Sequence, residues 1–444
     1  ELWGEVSEPV KISLLARAKG HIFPIQYCLP EGEEVITNPG IKPIEAIQQG
    51  ERVFSHDGCW HPVTQVFKRK YAGPMVSIVP NVVNLGFRLT PEHRVLAIKK
   101  AICSRGRDTI NICTPTRKCC HGRRRLAAKY EPGWLPAKSL EKGDFLLVPI
   151  PRASSESPPW LNEDFARFCG YYAAEGSTNR AGMIALDFGP SEKAWAEDVQ
   201  TIVMATRSRK AAVMSLSHNL RVRFYDQQLA KFLREEFPPP ATAKRLPLWL
   251  LQAPPLIIGE LLKGLWRGDG CHYQAYKGYP VLGYSTASGV LARQMILLLA
   301  RLGIVAGLTS GKQSATAFGA NRPIYRIRVS GHNAERLAEL LGIAWTPSPA
   351  KRRTHKAFIH EGFLWLPIKD IGTSYYEGTV CNLEVAEANS YVAGVAAVHN
   401  CEAHSHKTVD TLLSGVPTIA YNRGALPEVV EHGIDGFLVD TPAE

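Results

Sequence analysis

The tripeptide His399-Asn400-Cys401, taken with Cys28 far upstream, combines residue types that can cut and rejoin a peptide chain. The side-chain amide of an asparagine can attack the peptide bond that follows it and leave a succinimide. A histidine before the asparagine can polarise that bond, and the thiol of a cysteine after it can hold an acyl group. These residues therefore predict cleavage after Asn400 and transfer of another acyl group to Cys401.

Cys28 has the matching chemistry at the upstream end. Its thiolate can attack the carbonyl carbon of Tyr27 and convert the amide into a thioester. Because that shift is uphill, the site must donate hydrogen bonds to the developing oxyanion. The segment Thr90 to His93 supplies a hydroxyl or a backbone N–H, and an imidazole, for this purpose on a predicted strand edge.

Four ordered motifs make residues 28–400 resemble an intein, a protein element that excises itself. The motifs are 28–37 (CLPEGEEVIT), 90–93 (TPEH), the paired segments 378–385 (GTVCNLEV) and 389–393 (NSYVA), and 398–401 (VHNC). The resemblance implies a horseshoe-like all-β splicing domain of the Hint class. It also implies an acyl shift at Cys28, transfer to Cys401 and cyclisation of Asn400, with no cofactor.

Two positions depart from the usual pattern of the intein family. Asn382 stands where the family often has Asp, and Asn389 stands where it often has His. Since the usual groups can assist proton transfer, we expect these departures to affect the rate and coupling of the steps. Two alternatives stay open: a Hint domain that cleaves without ligation beside a degenerate endonuclease, and a transferase that carries an inert insert.

A second constellation occurs twice, as GYYAAEG at 170–176 and GLWRGDG at 264–270. Small residues four apart share a helix face, so two such helices could approach closely. Each motif ends in an acid, Glu175 or Asp269, followed by a glycine of the kind that suits a helix C-cap. The two carboxylates would lie side by side and could hold a divalent metal ion for phosphodiester hydrolysis.

These helices resemble the paired motifs of LAGLIDADG homing endonucleases, which commonly reside inside inteins. The resemblance implies double-stranded DNA as the substrate, Mg²⁺ as the cofactor and Lys244 as the active-site lysine. Two pairs of arginines alternate along two predicted strands, so the members of each pair share a sheet face. The pairs are Arg221 with Arg223 and Arg326 with Arg328. They predict either contact with the DNA major groove or a solvated face. Because both acids are retained, we expect an active nuclease.

The elements that must position these residues change character along the chain. Residues 28–154 and 346–400 contain short strand-like runs between turns, which predicts an all-β unit. Residues 155–345 contain a weak internal repeat and predict an inserted α+β unit with an αββαββα pseudo-repeat. Residues 1–27 and 401–444 have the βαβ pattern of α/β Rossmann-like fragments.

The outer segments resemble retaining GT-B glycosyltransferases through 415–420 (GVPTIA), 424–430 (GALPEVV) and 433–439 (GIDGFLV). In that family a Glu-x7-Glu motif contacts the nucleotide-sugar donor. Glu402 with Asp410 fits the motif with Asp in the second place, which implies a nucleotide-sugar donor for the complete host. We expect the chain to be a piece of a longer product and not a working transferase by itself.

Composition sets further bounds on these interpretations. The formal net charge of +11 over 444 residues indicates a polyanionic partner, DNA first. The ten cysteines are too dispersed for a small disulfide scaffold, and no uncharged apolar run reaches membrane-spanning length. We therefore expect a cytoplasmic monomer without a membrane partner.

A basic insert carries further metal-binding residue types, namely Cys103, Cys113, Cys119, Cys120 and His121. Their spacing lacks a clean Cys-x-x-Cys pair, which disfavours zinc without excluding it. We favour a basic loop that contacts DNA.

Overall fold

The computed structural model describes residues 27–100, 132–154, 158–275, 279–312, 323–346, 357–400, 411–421 and 430–439. Its first part consists of strands joined by turns. In chain order these strands are β1 (Leu29–Pro30), β2 (Glu34–Asn38), β3 (Gly40–Pro43), β4 (Arg52–Phe54), β5 (Trp60–Pro80), β6 (Phe87–Leu89), β7 (Arg94–Ile98), β8 (Gly133–Pro136) and β9 (Phe145–Pro149).

The middle part alternates helices and strands in two copies of the order αββαββα, with the short helix α4 between them. The first copy is α1 (Glu163–Glu175), β10 (Gly176–Thr178), β11 (Met183–Phe188), α2 (Lys193–Arg207), β12 (Ala212–Ser215), β13 (Leu220–Tyr225) and α3 (Gln227–Glu236). The second follows α4 (Leu248–Leu251) as α5 (Pro255–Asp269), β14 (Gly270–Ala275), β15 (Tyr279–Thr286), α6 (Gly289–Arg301), β16 (Gly307–Lys312), β17 (Pro323–Ser330) and α7 (His332–Leu341). The pseudo-repeat therefore has the predicted element order.

The last part returns to strands. They are β18 (Phe358–His360), β19 (Phe363–Val385), β20 (Ser390–Ala393), β21 (Ala396–His399), β22 (Thr418–Tyr421) and β23 (Gly436–Val439). The last two form a separate parallel pair. The sheet-rich, multidomain architecture expected from the sequence is thus confirmed for the described residues, and none of their helices is long and apolar enough to cross a membrane.

Strands β5 and β19 hold the β unit together. They pair in antiparallel register from Val63 opposite Val385 to Pro80 opposite Ile368. The first residues of β19, from Phe363, pair instead with β9. Because β19 has partners from before the middle part, segments on both sides of that part form one 13-stranded sheet of the described chain.

Strand β5 is continuous where the sequence predicts two strands, at 63–68 and 75–79. A Cβ atom at Gly73 would lie 2.8 Å from the Tyr71 hydroxyl oxygen, so the tyrosine ring covers the glycine. The same hydroxyl donates a hydrogen bond to the Pro74 carbonyl at 2.6 Å. An aromatic ring over the glycine supports the strand through Gly73 and Pro74, residue types that usually weaken a strand.

Helices α1 and α5 cross at a glycine on each. A Cβ atom at Gly170 would lie 2.2 Å from the Leu261 carbonyl oxygen, and one at Gly264 would lie 2.2 Å from that of Arg167. Neither position has space for a side chain, because real Cβ atoms do not approach other atoms so closely. The spacing of small residues therefore produces the close helix pair that the sequence predicts.

Each copy of the repeat adds a four-stranded sheet, in the orders β10-β11-β13-β12 and β14-β15-β17-β16. The second sheet is joined to the β unit at its edge: Leu308 on β16 accepts a hydrogen bond from the Asn84 N–H at 2.8 Å and donates one to the Val82 carbonyl at 2.9 Å. One buried apolar cluster contains residues of both units, so they pack against each other directly.

Candidate functional site

The ends of the two crossing helices form the first candidate site, here called the helix-end site and made of Glu175, Asp269 and Lys244. Glu175 is the last residue of α1, and Asp269 is the last residue of α5. A Cβ atom on Gly268 would lie 2.4 Å from the Ala174 Cβ and 3.6 Å from a Glu175 carboxylate oxygen. The close helix packing therefore continues to the point where the two acids emerge.

The glycines that follow these acids serve a different purpose from the one expected. Gly176 and Gly270 have φ near −80°, so neither adopts the left-handed conformation of a typical C-cap. A Cβ atom on Gly176 would instead lie 2.5 Å from the Tyr172 carbonyl oxygen, and one on Gly270 would lie 2.2 Å from that of Trp266. Glycine is required at both positions because a side chain would clash with the last turn of the preceding helix, and not because the backbone has a positive φ.

The electrostatics of the helix-end site are those of two carboxylates in one confined space. Burial, with the neighbouring charge of Asp269, raises the pKa of Glu175 to about 7. Burial of the carboxylate also raises the pKa of Asp269, and the charge of Lys244 opposes that rise.

Lys244 reaches the same place from the loop between the two copies. Its ammonium donates a hydrogen bond to the Ala174 carbonyl at 2.6 Å. Burial lowers the pKa of Lys244, and the charges of Asp269 and Glu175 oppose that shift. The structure thus brings together the three residues that the sequence analysis assigned to phosphodiester chemistry.

The two carboxylates of the helix-end site could supply part of the ligand set of a divalent cation. A cation between the two carboxylates would relieve the repulsion that raises the pKa of Glu175. The described residues contain no group of three or more His, Cys, Asp or Glu side chains suited to a metal ion. Further ligands would therefore come from water and from substrate phosphate oxygens, as is usual for Mg²⁺.

The four predicted arginines lie opposite the core face of their strands. In β13 the buried residues are Val222 and Phe224, and in β17 they are Ile327 and Val329. The arginines occupy the alternate positions, Arg221, Arg223, Arg326 and Arg328. Arg221 is already paired with Asp187 across the sheet, with nitrogen–oxygen distances of 2.8 and 3.0 Å.

The second candidate site, here called the junction site, gathers the residues around Tyr27-Cys28 and His399-Asn400. Cys28 is buried and donates its backbone N–H to the Thr90 hydroxyl at 3.0 Å, while the Thr90 N–H donates to the Cys28 carbonyl at 2.9 Å. Burial raises the pKa of the Cys28 thiol to about 11, and the charge of Arg69 partly offsets this rise. Thr90 therefore holds the peptide unit of Cys28, the residue predicted to be the nucleophile.

His93 lies between the two ends of the predicted element. Its Nε2 donates to the His399 carbonyl at 3.0 Å, since a carbonyl oxygen can only accept. Burial lowers the pKa of His93 to about 4, so the ring is neutral near pH 7 and its Nδ1 carries a lone pair. The backbone of Cys28 lies beside the ring and raises the pKa of His93, which partly offsets the effect of burial. Among the described residues, none forms a hydrogen bond with His93 Nδ1.

Asn382 contacts the peptide bond that Cys28 would attack. Its side-chain Nδ2 donates to the Tyr27 carbonyl oxygen. Its Oδ1 accepts from the Tyr391 hydroxyl and from the Leu383 N–H, both at 2.7 Å. In the sequence, Asn382 stands out only as a departure from a family pattern, and Tyr391 does not stand out at all, because no local signal shows which strand residue contacts Asn382.

Asn400 is buried at the other end of the junction site. Its backbone N–H donates to the Asn389 carbonyl at 2.9 Å, and its side-chain Nδ2 donates to the Asn389 Oδ1 at 3.3 Å. His399 Nδ1 donates to the Asn400 carbonyl at 2.9 Å. The ring of His399 is therefore hydrogen-bonded to the carbonyl whose bond to residue 401 asparagine cyclisation would break, and its role in that step stays a prediction.

Several predicted residues lie outside the described part of the chain, so their roles stay predictions. They are Cys401 at the downstream junction, Glu402 and Asp410 of the nucleotide-sugar motif, and the residues of the basic insert, Cys103, Cys113, Cys119, Cys120 and His121.

Comparison with known families identifies one domain. The model of the LAGLIDADG-like domain matches residues 257–342, which cover α5 to α7 of the second copy. The chain therefore contains a LAGLIDADG-like domain.

Similarity to characterised and uncharacterised proteins extends over most of the chain. An uncharacterized protein of Methanocaldococcus jannaschii is 27% identical over 460 residues, which cover 95% of this chain and 55% of that protein. An iron-sulfur cluster assembly SufBD family protein of Mycobacterium tuberculosis is 28% identical, with 91% and 46% covered. The ATP-dependent DNA helicase Hel308 of Thermococcus kodakarensis is 28% identical, with 84% and 36% covered. The chain spans about half or less of these proteins.

Solved structures with similarity to part of the chain include LAGLIDADG proteins. The homing endonuclease I-DmoI matches with a TM-score of 0.31 and 10% identity, covering 42% of this chain and 98% of that one. The N-terminal LAGLIDADG domain of DUF199/WhiA matches with a TM-score of 0.29 and 11% identity, covering 41% and 83%.

Proposed function

We propose that this chain is a site-specific endonuclease of double-stranded DNA. The observation that carries the proposal is the meeting of Glu175, Asp269 and Lys244 at the end of a glycine-packed helix pair, whose second helix falls in the LAGLIDADG-like match at 257–342. Two sheets of that unit present arginines on the face away from the core, where they can neutralise phosphates.

The chemistry is the attack of a water oxygen on phosphorus while the bond from phosphorus to the leaving oxygen breaks. Without a cation, burial and the charge of Asp269 raise the pKa of Glu175 to about 7, so this carboxylate can accept the proton of that water at neutral pH. Lys244 is fixed by the Ala174 carbonyl and adds positive charge beside the reacting phosphate. Glu175 and Asp269 would hold a divalent ion such as Mg²⁺, which would supply positive charge against the leaving oxygen and would lower the pKa of Glu175, so the proton of the water would then pass to solvent.

The test uses the gene of the flanking segments without the sequence that encodes residues 28–400. We expect the chain to cut this DNA with Mg²⁺ present and to stop when the metal is chelated. The variant Glu175→Gln with Asp269→Asn should lose cutting. Glu163→Gln, an exposed acid in the first turn of the same helix, is the matched control and should cut normally. Unchanged cutting by the double variant would remove the site assignment.

We also propose that residues 28–400 excise themselves by protein splicing. A specific observation favours this function: the Thr90–Cys28 hydrogen bonds and the 3.0 Å His93–His399 hydrogen bond place both ends of the segment around one buried histidine. Cutting at two distant peptide bonds with ligation of the outer pieces requires the two ends to be adjacent.

The relatives support an inserted element. They are an uncharacterized protein, a SufBD family protein and a helicase, yet each matches most of this chain at 27–28% identity over part of its own length. A segment shared by proteins with such different names does not carry the activity of any one of them. Self-excision would let one element reside in unrelated hosts.

The splicing proposal is tested by the masses of the products. We expect a joined peptide of residues 1–27 and 401–444 and a free protein of residues 28–400. The variant Asn400→Ala with Cys401→Ala should give no joined product, whereas Cys59→Ala, at a turn thiol outside the junction site, should splice normally. Loose termini from the parent chain would favour cleavage without ligation, and a joined product from the double variant would disprove the mechanism.

A further inference from the structure

We propose that Asn382 is a catalytic residue that donates the hydrogen bond to the oxyanion formed on Tyr27 during the first acyl shift. This inference rests on the proposed splicing function. It assigns an individual role to a residue at which the chain departs from the pattern of the family it resembles.

The orientation of the Asn382 amide is fixed by its other partners. The Leu383 backbone N–H lies 2.7 Å from one side-chain atom of Asn382, and a backbone N–H can only donate, so that atom is the oxygen Oδ1. The Tyr391 hydroxyl donates to the same oxygen at 2.7 Å. The nitrogen Nδ2 must then face the Tyr27 carbonyl, which can only accept.

The Tyr27 carbonyl oxygen is the atom on which charge develops. The Cys28 sulfur forms a bond to the Tyr27 carbonyl carbon, and the carbonyl oxygen becomes an oxyanion. The bond from that carbon to the Cys28 nitrogen then breaks, the proton lost by the thiol is restored on the new amine, and a thioester results. A donor already aimed at this oxygen stabilises the intermediate more than the starting amide.

The environment of Asn382 increases the effect of its hydrogen bond. The residue is 0% exposed, and a hydrogen bond to a developing charge is stronger when water is excluded. An amide also remains a donor at every pH. A carboxylate at this position could not donate in its ionised form and would repel the oxyanion.

The experiment measures cleavage of the Tyr27–Cys28 bond by hydroxylamine in a chain carrying Asn400→Ala and Cys401→Ala, which isolates the first step. Relative to this parent, Asn382→Ala should slow cleavage by about 10²- to 10³-fold, the usual cost of one oxyanion donor. Tyr391→Phe should slow it less, because the amide stays but loses one of the two groups that orient it.

Asn382→Asp separates hydrogen-bond donation from a packing effect. Its rate relative to the parent should fall as pH rises through the pKa of the new carboxyl, since only the protonated form can donate. Asn219→Ala removes an asparagine hydrogen bond in the α+β unit and is the matched control that should leave the rate unchanged.

Each outcome has a distinct meaning. Parent-like rates in Asn382→Ala and a pH-independent rate ratio for Asn382→Asp would overturn this inference while leaving splicing intact. Absence of hydroxylamine-sensitive cleavage in the parent would overturn the proposed splicing itself and the inference with it. If Asn382→Ala does not fold, as judged by its thermal unfolding, the Tyr391→Phe rate and the Asn382→Asp pH profile decide.

Discussion

The thiol of Cys28 is a poor nucleophile at neutral pH because burial raises its pKa to about 11. Only the thiolate attacks a carbonyl, and its fraction rises about tenfold per pH unit below the pKa. His93 does not titrate in the same range, since its pKa is lowered to about 4. We therefore expect hydroxylamine cleavage at Tyr27–Cys28 to accelerate about tenfold per unit between pH 7 and 10.

Arg69 provides the control for this pH profile. Its charge lowers the pKa of Cys28 against the effect of burial, so Arg69→Gln should move the rate profile to higher pH without changing its slope. A flat profile from pH 7 to 10 in the parent would show that a neighbouring base removes the proton during attack, and that the thiolate population does not limit the rate.

At the scale of elements, the crossing of α1 and α5 depends on the absence of side chains at two positions. Gly264→Ala would place a Cβ 2.2 Å from the Arg167 carbonyl and 3.0 Å from the Gly170 Cα, and neither backbone atom can move without separating the helices. Overpacking of this kind costs about 1–3 kcal/mol. We expect a lower unfolding temperature and weaker DNA cutting, because the separation displaces Glu175 from Asp269.

Gly259→Ala is the matched control on the same helix. Its Cβ would approach only the end of the Leu340 side chain, at 3.0 Å, and a flexible methyl group can rotate away. The substitution also gains helix propensity of about 1 kcal/mol. Its unfolding temperature should equal or exceed that of the parent, and a drop as large as that of Gly264→Ala would contradict the steric explanation.

The same elements show how far sequence reasoning extends. The helix pair and the arginine faces could be predicted because their signals are local: small residues four apart and charges two apart. The continuity of β5 could not, because it depends on the Tyr71 ring covering Gly73. The contacts of Asn382 could not be predicted either. Tyr27 is 355 residues away in sequence, and no local pattern shows that the Tyr391 hydroxyl reaches Asn382.

At the scale of the whole molecule, the nested order of units follows from where the chain enters and leaves the α+β unit. Phe363 at the start of β19 pairs with Pro149 at the end of β9, and the Ile150 N–H donates to the Gly362 carbonyl at 3.0 Å. The strand that precedes the α+β unit and the strand that follows it are therefore paired neighbours in the sheet. Insertions whose ends lie close together are tolerated because the host fold need not open.

If both proposed functions hold, replacing residues 155–345 with a short Gly/Ser linker should preserve splicing and abolish DNA cutting. The deletion removes the contacts of Val82 and Asn84 with Leu308 and part of the shared apolar cluster, so the unfolding temperature should fall. Product masses, DNA cleavage and thermal unfolding measure the three effects. The full-length Glu175→Gln, Asp269→Asn variant is the control, because it lacks the helix-end carboxylates but keeps the unit. A folded deletion variant that forms no thioester at Cys28 would show that the α+β unit positions the junction site, and that the β unit does not carry splicing alone.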